Sequence, residues 1–130
     1  MGVTKMRNSL KVFIILASLT QAAWSEDTKY ISLDEITMFT SIIGGYSIER
    51  NCRFGSAKNF ENFELSVRAI YKGLADRGTP KKRLIKIWKD ASEISKVTPY
   101  SECTIEAKSA VSQSAERSWK WAMEIVSEQS

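Results

Sequence analysis

Hydrophobic side chains recur along most of this chain at intervals of three and four residues, the spacing of one face of an α-helix. Four amphipathic segments follow one another between residues 31 and 128, which predicts an all-α fold. The expected core residues are Ile36, Phe39, Ile43 and Tyr46; Phe60, Phe63, Val67, Ile70, Tyr71 and Leu74; Leu84, Ile87, Trp88, Ala91 and Ile94; and Cys103, Ala107, Ala110, Ser114, Trp121 and Ile125.

The first segment has the best-defined start. Ser32 followed by Glu35 forms a capping box, in which each side chain binds a backbone N–H of the first helical turn. Gly44 and Gly45 interrupt this segment. A hairpin turn at the glycines is the alternative, but the hydrophobic positions do not alternate strictly and the capping box favours a helix.

Proline and glycine positions predict the ends of the later segments. Gly78 suits the left-handed residue that ends a helix. Thr79-Pro80 offers an N-cap and a proline at the first helical position for the third segment. Thr98-Pro99 repeats this pattern, so the fourth helix is expected from about Tyr100 to Glu128.

Small residues dominate the middle of the fourth segment, between Ser109 and Ser118. Serine and alanine at these positions would let a neighbouring helix approach closely. Alternatively, they are only acceptable helix formers on a neutral face. The sequence leaves both interpretations open.

Two cysteines, Cys52 and Cys103, lie at the end of the first segment and near the start of the fourth. In an antiparallel up-down-up-down four-helix bundle these two ends meet at the same pole. We therefore expect a disulfide bond between them, with two separate buried thiols as the alternative.

The first 25 residues have the pattern of a cleavable signal peptide. Lys5, Arg7 and Lys11 precede the apolar run 12–19, and Ala23-Trp24-Ser25 offers a cleavage site. The apolar run is shorter than the roughly 20 residues that a membrane span needs. We expect an exported protein, periplasmic or secreted, whose residues 26–130 form a single helical domain.

The composition of the chain argues against several kinds of partner, catalytic site and metal site. Without residues 1–25 the chain keeps sixteen basic and fifteen acidic side chains, which gives little support for a nucleic-acid partner. The chain has no histidine, which removes histidine bases, nucleophilic pairs and metal ligands. We therefore expect no enzyme activity, no cofactor and no metal site.

A basic cluster surrounds the start of the third segment. Cations before and within the first turn oppose the helix dipole, so local stability does not explain them. An anionic partner does, either an acidic protein surface or, less favoured, a membrane surface. The alternative is a solvated face. The cluster consists of Arg77, Lys81, Lys82, Arg83, Lys86 and Lys89.

Two aromatic residues, Trp119 and Phe54, are further candidates for contact with a partner. Trp119 and Trp121 cannot share a helix face, so a buried Trp121 would leave Trp119 directed away from the core. The alternative places Trp119 with Met123 on the flank of a wide apolar face. Phe54, in the loop after Cys52, is either a second anchor or a core residue held by the disulfide.

These features favour a non-catalytic protein-interaction module, such as an inhibitor, an immunity protein, an adaptor or a small chaperone. The alternative is a carrier that holds an apolar ligand between aromatic-rich helices, or a protein that binds anionic membrane surfaces. The sequence does not decide the oligomeric state.

Overall fold

The structure is a computed structural model that describes residues 30–129. Four α-helices account for most of these residues, and the described part of the chain contains no β-strand. The helices are α1 (Leu33–Cys52), α2 (Ala57–Asp76), α3 (Lys81–Ser92) and α4 (Ile105–Gln129). Two 3₁₀ turns, Glu93–Lys96 and Tyr100–Glu102, lie between α3 and α4. The predicted fold class, all-α with one disulfide, is confirmed.

Helix α1 begins at the predicted capping box. The Glu35 backbone N–H donates to the Ser32 hydroxyl, and the Ser32 N–H donates to the Glu35 carboxylate. The helix continues through Gly44 and Gly45, so the hairpin alternative is wrong. It ends where Arg53 adopts a left-handed conformation with φ of 54°.

Gly45 lies at a close approach between α1 and α4. A Cβ atom at Gly45 would overlap the Ser114 side chain. The Ser114 hydroxyl donates to the Ser41 carbonyl at 3.1 Å, and both Ser114 and Ser118 are buried. Ser114 and Ser118 therefore serve close helix packing, whereas Ser109 and Ser112 are exposed.

Helix α3 does not begin as predicted. Pro80, and not Thr79, occupies the N-cap position, and no side chain caps the helix. Thr79 is buried, and its hydroxyl donates to the Tyr30 carbonyl at 3.2 Å. A tertiary contact has thus taken the side chain that would have capped the helix. Gly78, with φ of 111°, follows α2 in the positive-φ conformation that was expected.

Helix α4 begins later than predicted, at Ile105 instead of Tyr100. Cys103 has φ of 54°, which no helix can continue through, so the residues before it form only a 3₁₀ turn. The Thr104 hydroxyl accepts the Ala107 N–H at 3.3 Å and so caps the helix in place of Thr98.

The core lies around α1, which contacts each of the other three helices, and α2 also packs against α4. Aromatic rings interlock at its centre: the Phe39 ring lies 6.4 Å from both Trp88 and Trp121 in edge-to-face geometry. Most predicted core positions are buried. Ile94 is 36% exposed and Cys103 is also exposed, so both predictions of burial are wrong.

The disulfide between Cys52 and Cys103 is present as predicted, with the two Cα atoms 5.5 Å apart. It joins the end of α1 to the residue before the Thr104 cap of α4. The proposed leader, residues 1–25, lies outside the described residues. Among the helices of residues 30–129, none is long and apolar enough to cross a membrane.

Candidate interaction groove

An open groove of about 540 Å³ runs between α2 and α4, and the end of α1 closes one side of it. It brings together the two aromatic candidates from the sequence, Phe54 and Trp119. The other lining residues are Glu49, Gly55, Asn59, Asn62, Phe63, Ser66, Lys108, Val111, Ser112 and Ala115.

The Glu49 carboxylate holds Phe54 at one end of the groove. Helix α1 stops at Arg53, and the loop that follows exposes backbone N–H groups that need acceptors. Glu49 is buried and accepts the Phe54 N–H at 2.6 Å and the Gly55 N–H at 3.1 Å. Because both carboxylate oxygens bind the loop, the position of Phe54 is fixed by backbone hydrogen bonds as well as by packing.

Trp119 forms the opposite end of the groove and is 57% exposed. Trp121 is buried in the core, so the two tryptophans lie on different faces as expected. Met123 and Val126 follow Trp119 at spacings of four and seven residues and are also exposed. These three side chains share a helix face and extend the apolar surface beyond the groove.

The floor of the groove is apolar and its sides carry polar groups. Phe63 and Val111 are buried beneath it. The side-chain amides of Asn59 and Asn62 line α2 and make no hydrogen bond with any described residue. Glu49, both asparagines and Ser112 were not anticipated, because polar residues on helices look the same in a sequence whether they line a groove or an open surface.

The basic cluster is smaller than predicted. Arg83 is only 5% exposed and does not project into solvent, so that prediction is wrong. Buried Ile87 follows Arg83 at a spacing of four positions, which places both on the inward side of α3. The burial includes the head group, because the Nε and Nη2 atoms of the guanidinium are inaccessible to solvent.

Arg77 takes part in a contact between helices. Its guanidinium lies 2.6 Å from the Glu35 carboxylate at the start of α1. Burial alone would raise the pKa of Glu35, but the Ser32 N–H hydrogen bond and the Arg77 charge together hold that pKa below its usual value. Arg77 therefore has a structural role that the charge pattern did not indicate.

Among the remaining basic residues, Lys86 lies 3.5 Å from Asp90 on the same helix. Lys81, Lys82 and Lys89 are exposed and make no ion pair with a described residue. Of the basic cluster, within residues 30–129, these three lysines form the open cationic surface on α3.

The aromatic residues between the helices pack against one another. The Tyr46 ring stacks on Phe60 at 5.7 Å and meets Phe63 edge-on at 5.5 Å. The pKa of Tyr46 is raised to about 12, mainly because the hydroxyl is partly buried and secondly because it donates a hydrogen bond to Glu64. These rings occupy the space between the helices.

Comparison with known proteins finds no matching family model, no matching curated protein and no matching solved structure. Within the described residues, no group of three or more histidine, cysteine, aspartate or glutamate side chains is arranged to hold a metal ion.

Proposed function

We propose that this chain is an exported, non-catalytic protein-interaction module that binds its partner through the groove between α2 and α4. The observation that carries the proposal is the exposed Trp119 at one end of a groove that holds Phe54 at the other. Large aromatic side chains beside a concave, partly apolar surface are typical of binding hot spots.

Energetics support this assignment of Trp119. A tryptophan that is 57% exposed gives up much of the stabilisation that burial would provide. Trp121 and Phe39 belong to the core and Trp88 packs against it, whereas Trp119 is not part of this cluster. Its apolar surface is available to a partner, and its indole N–H is a hydrogen-bond donor.

Export is supported by the disulfide, which persists in oxidising compartments, and by the signal-peptide pattern of residues 1–25.

We further propose that the four helices run antiparallel, in an up-down-up-down order. Glu35 near the start of α1 meets Arg77 at the end of α2, and Cys52 at the end of α1 meets Cys103 before α4.

The basic surface supports the proposal less than the groove does, because Arg77 and Arg83 are committed to the fold. A partner with acidic groups could still meet Lys81, Lys82 and Lys89. The interlocking aromatic core favours protein binding over the carriage of an apolar ligand between the helices.

The test compares two single substitutions of exposed apolar residues. Trp119→Ala removes the groove aromatic, whereas Ile85→Ala truncates an exposed side chain on α3, away from the groove. With immobilised oxidised protein and an extract of exported proteins, we expect the partner captured by the wild type to be lost with Trp119→Ala. The partner should be retained by Ile85→Ala. Equal capture by both variants would refute the groove as the binding surface.

A further inference from the structure

The outer face of α4 carries an apolar stripe that matches the groove beside it. Ile105, Ser112, Trp119 and Val126 are spaced seven residues apart, so they lie almost in line along the helix. Ile105 is 84% exposed, and Trp119 and Val126 are both more than half exposed. Ser112, between the first two large side chains, leaves a low point in this line.

The low point of the stripe is part of the groove. Ser112 and Ala115 line the groove one to two turns before Trp119. Seven residues of helix place Ser112 about 10 Å from Trp119 along the helix axis. Each molecule thus presents a protruding indole and, a short distance away, a concave surface lined by small residues.

We propose that a second copy of this chain occupies the groove, and that Trp119 of each copy inserts beside Ser112 of the other. This inference rests on the proposed function, because it names the partner of the same site. The two α4 helices would cross antiparallel about a two-fold axis between Ala115 and Glu116. The same axis places Ile105 of one copy opposite Val126 of the other, so the exposed apolar side chains of both copies are covered in pairs.

The chemistry of the groove suits an indole. The buried Phe63 and Val111 give an apolar floor for the ring. An indole N–H loses its water on burial and needs an acceptor. The side-chain amides of Asn59 and Asn62, which bind no described residue, supply carbonyl oxygens on the α2 side of the groove.

Met123, an exposed residue beside the stripe, also lies opposite a suitable neighbour in the proposed dimer. The two-fold axis places Lys108 of one copy opposite Met123 of the other. The aliphatic stem of a lysine can cover a methionine side chain while its ammonium group stays in water. The same axis brings Glu116 of the two copies close together, and each Glu116 is paired with Lys120 of its own helix at 3.1 Å.

The interface is large enough for a reversible dimer. From Ile105 to Val126 the stripe is about 32 Å long at 1.5 Å per residue. The stripe on α4 and the α2 side of the groove together are about 20 Å wide, so each copy contributes on the order of 600 Å². The total of about 1,200 Å² is at the lower end of specific interfaces, and we expect a dissociation constant in the micromolar range.

The test is sedimentation equilibrium of the oxidised protein over a range of concentrations. The wild type should dimerise. Trp119→Ala, which removes the inserted side chain, and Ser112→Lys, which obstructs the groove with a charge, should each weaken the dimer at least tenfold. Ile85→Ala should dimerise like the wild type. Residues 112 and 119 are exposed, and circular dichroism checks that both variants keep their helices.

Mixing the two weakened variants tests the reciprocal geometry. A mixed dimer of Trp119→Ala and Ser112→Lys regains one intact groove facing one intact tryptophan, whereas either variant alone has none. We therefore expect the mixture to associate more strongly than each variant does with itself.

A wild type that stays monomeric at about a hundred times the expected micromolar dissociation constant would overturn the inference. So would a variant dimer as strong as the wild-type dimer, or a mixture without gain. Those results concern self-association alone. The capture experiment would still decide whether Trp119 binds a different protein.

Discussion

At the scale of single residues, Glu35 shows how one side chain can serve both a helix and the packing between helices. One of its carboxylate oxygens accepts the Ser32 N–H, and the other meets the Arg77 guanidinium. The capping half of this role was visible in the sequence as a local spacing. The Arg77 half was not, because the two residues are separated by 42 positions.

Replacing Glu35 by glutamine should separate charge from capping. Glutamine still accepts the Ser32 N–H, so the capping box is kept and only the charge is lost. Because Arg77 is partly exposed and therefore screened, we expect a loss of about 0.5 kcal/mol in the free energy of unfolding at neutral pH. Urea denaturation of the oxidised protein at several pH values measures this loss.

The pH dependence of this difference follows from the lowered pKa of Glu35. The ionised carboxylate contributes its stability above the usual value of 4.5, and the contribution is lost as pH falls through the lower pKa of the folded state. The wild type and Glu35→Gln should therefore converge in strong acid. Glu93→Gln, which removes an exposed ion pair with Lys96, serves as control and should have no measurable effect. A difference that is constant with pH would contradict the assignment.

At the scale of helices, the contact between α1 and α4 explains why α1 contains a glycine in its interior. Glycine in a helix interior costs about 1 kcal/mol relative to alanine, so Gly45 weakens α1 as an isolated helix. Glycine is nevertheless suited to this position, because the Ser114 side chain of α4 occupies the space that a Cβ atom would need. The pattern of small residues suggested close packing, but not which helix would approach.

Gly45→Ala should therefore destabilise the protein although it improves helix propensity. Overpacking costs about 1–3 kcal/mol, and the gain in propensity offsets about 1 kcal/mol of it. We expect a net loss of about 1 kcal/mol in the free energy of unfolding, measured by urea denaturation.

The matched control adds Ser114→Gly, which removes the side chain that the new Cβ would overlap. If the close contact is the cause, the double variant should lose less stability than the sum of the two single variants. Strict additivity of the two losses would exclude this explanation.

At the scale of the whole molecule, one covalent bond joins the ends of the first and last helices. Cys52 and Cys103 are separated by 51 positions, and the loop between them contains α2 and α3. Closing a loop of this length reduces the conformational freedom of the unfolded chain. The same bond lies close to Phe54, so it also constrains the loop that closes the groove.

Replacing both cysteines by alanine should lower the free energy of unfolding by about 4 kcal/mol, on the chain-entropy estimate for a loop of this length. This is a large share of the stability of a domain of this size. Guanidinium denaturation of the double variant and of the oxidised wild type measures it. A difference below about 1 kcal/mol would show that the closed loop contributes little.

The sequence by itself determined what depends on neighbouring residues: the helical periodicity, the capping box at Ser32, the turn at Gly78 and the face of most core residues. The helix starts at Thr79 and Thr98 were predicted wrongly, because a tertiary contact with Tyr30 and a left-handed Cys103 override local preference.

The groove between α2 and α4 follows only from the tertiary structure. Phe54 and Trp119 are 65 positions apart, and their meeting depends on how α1, α2 and α4 pack. Tertiary packing also buried Arg83 and paired Arg77 with Glu35, which left four lysines of the basic cluster, and one of these, Lys86, pairs with Asp90 on its own helix. Periodicity fixes which side of a helix is apolar, whereas the contacts between distant residues depend on packing that no local spacing contains.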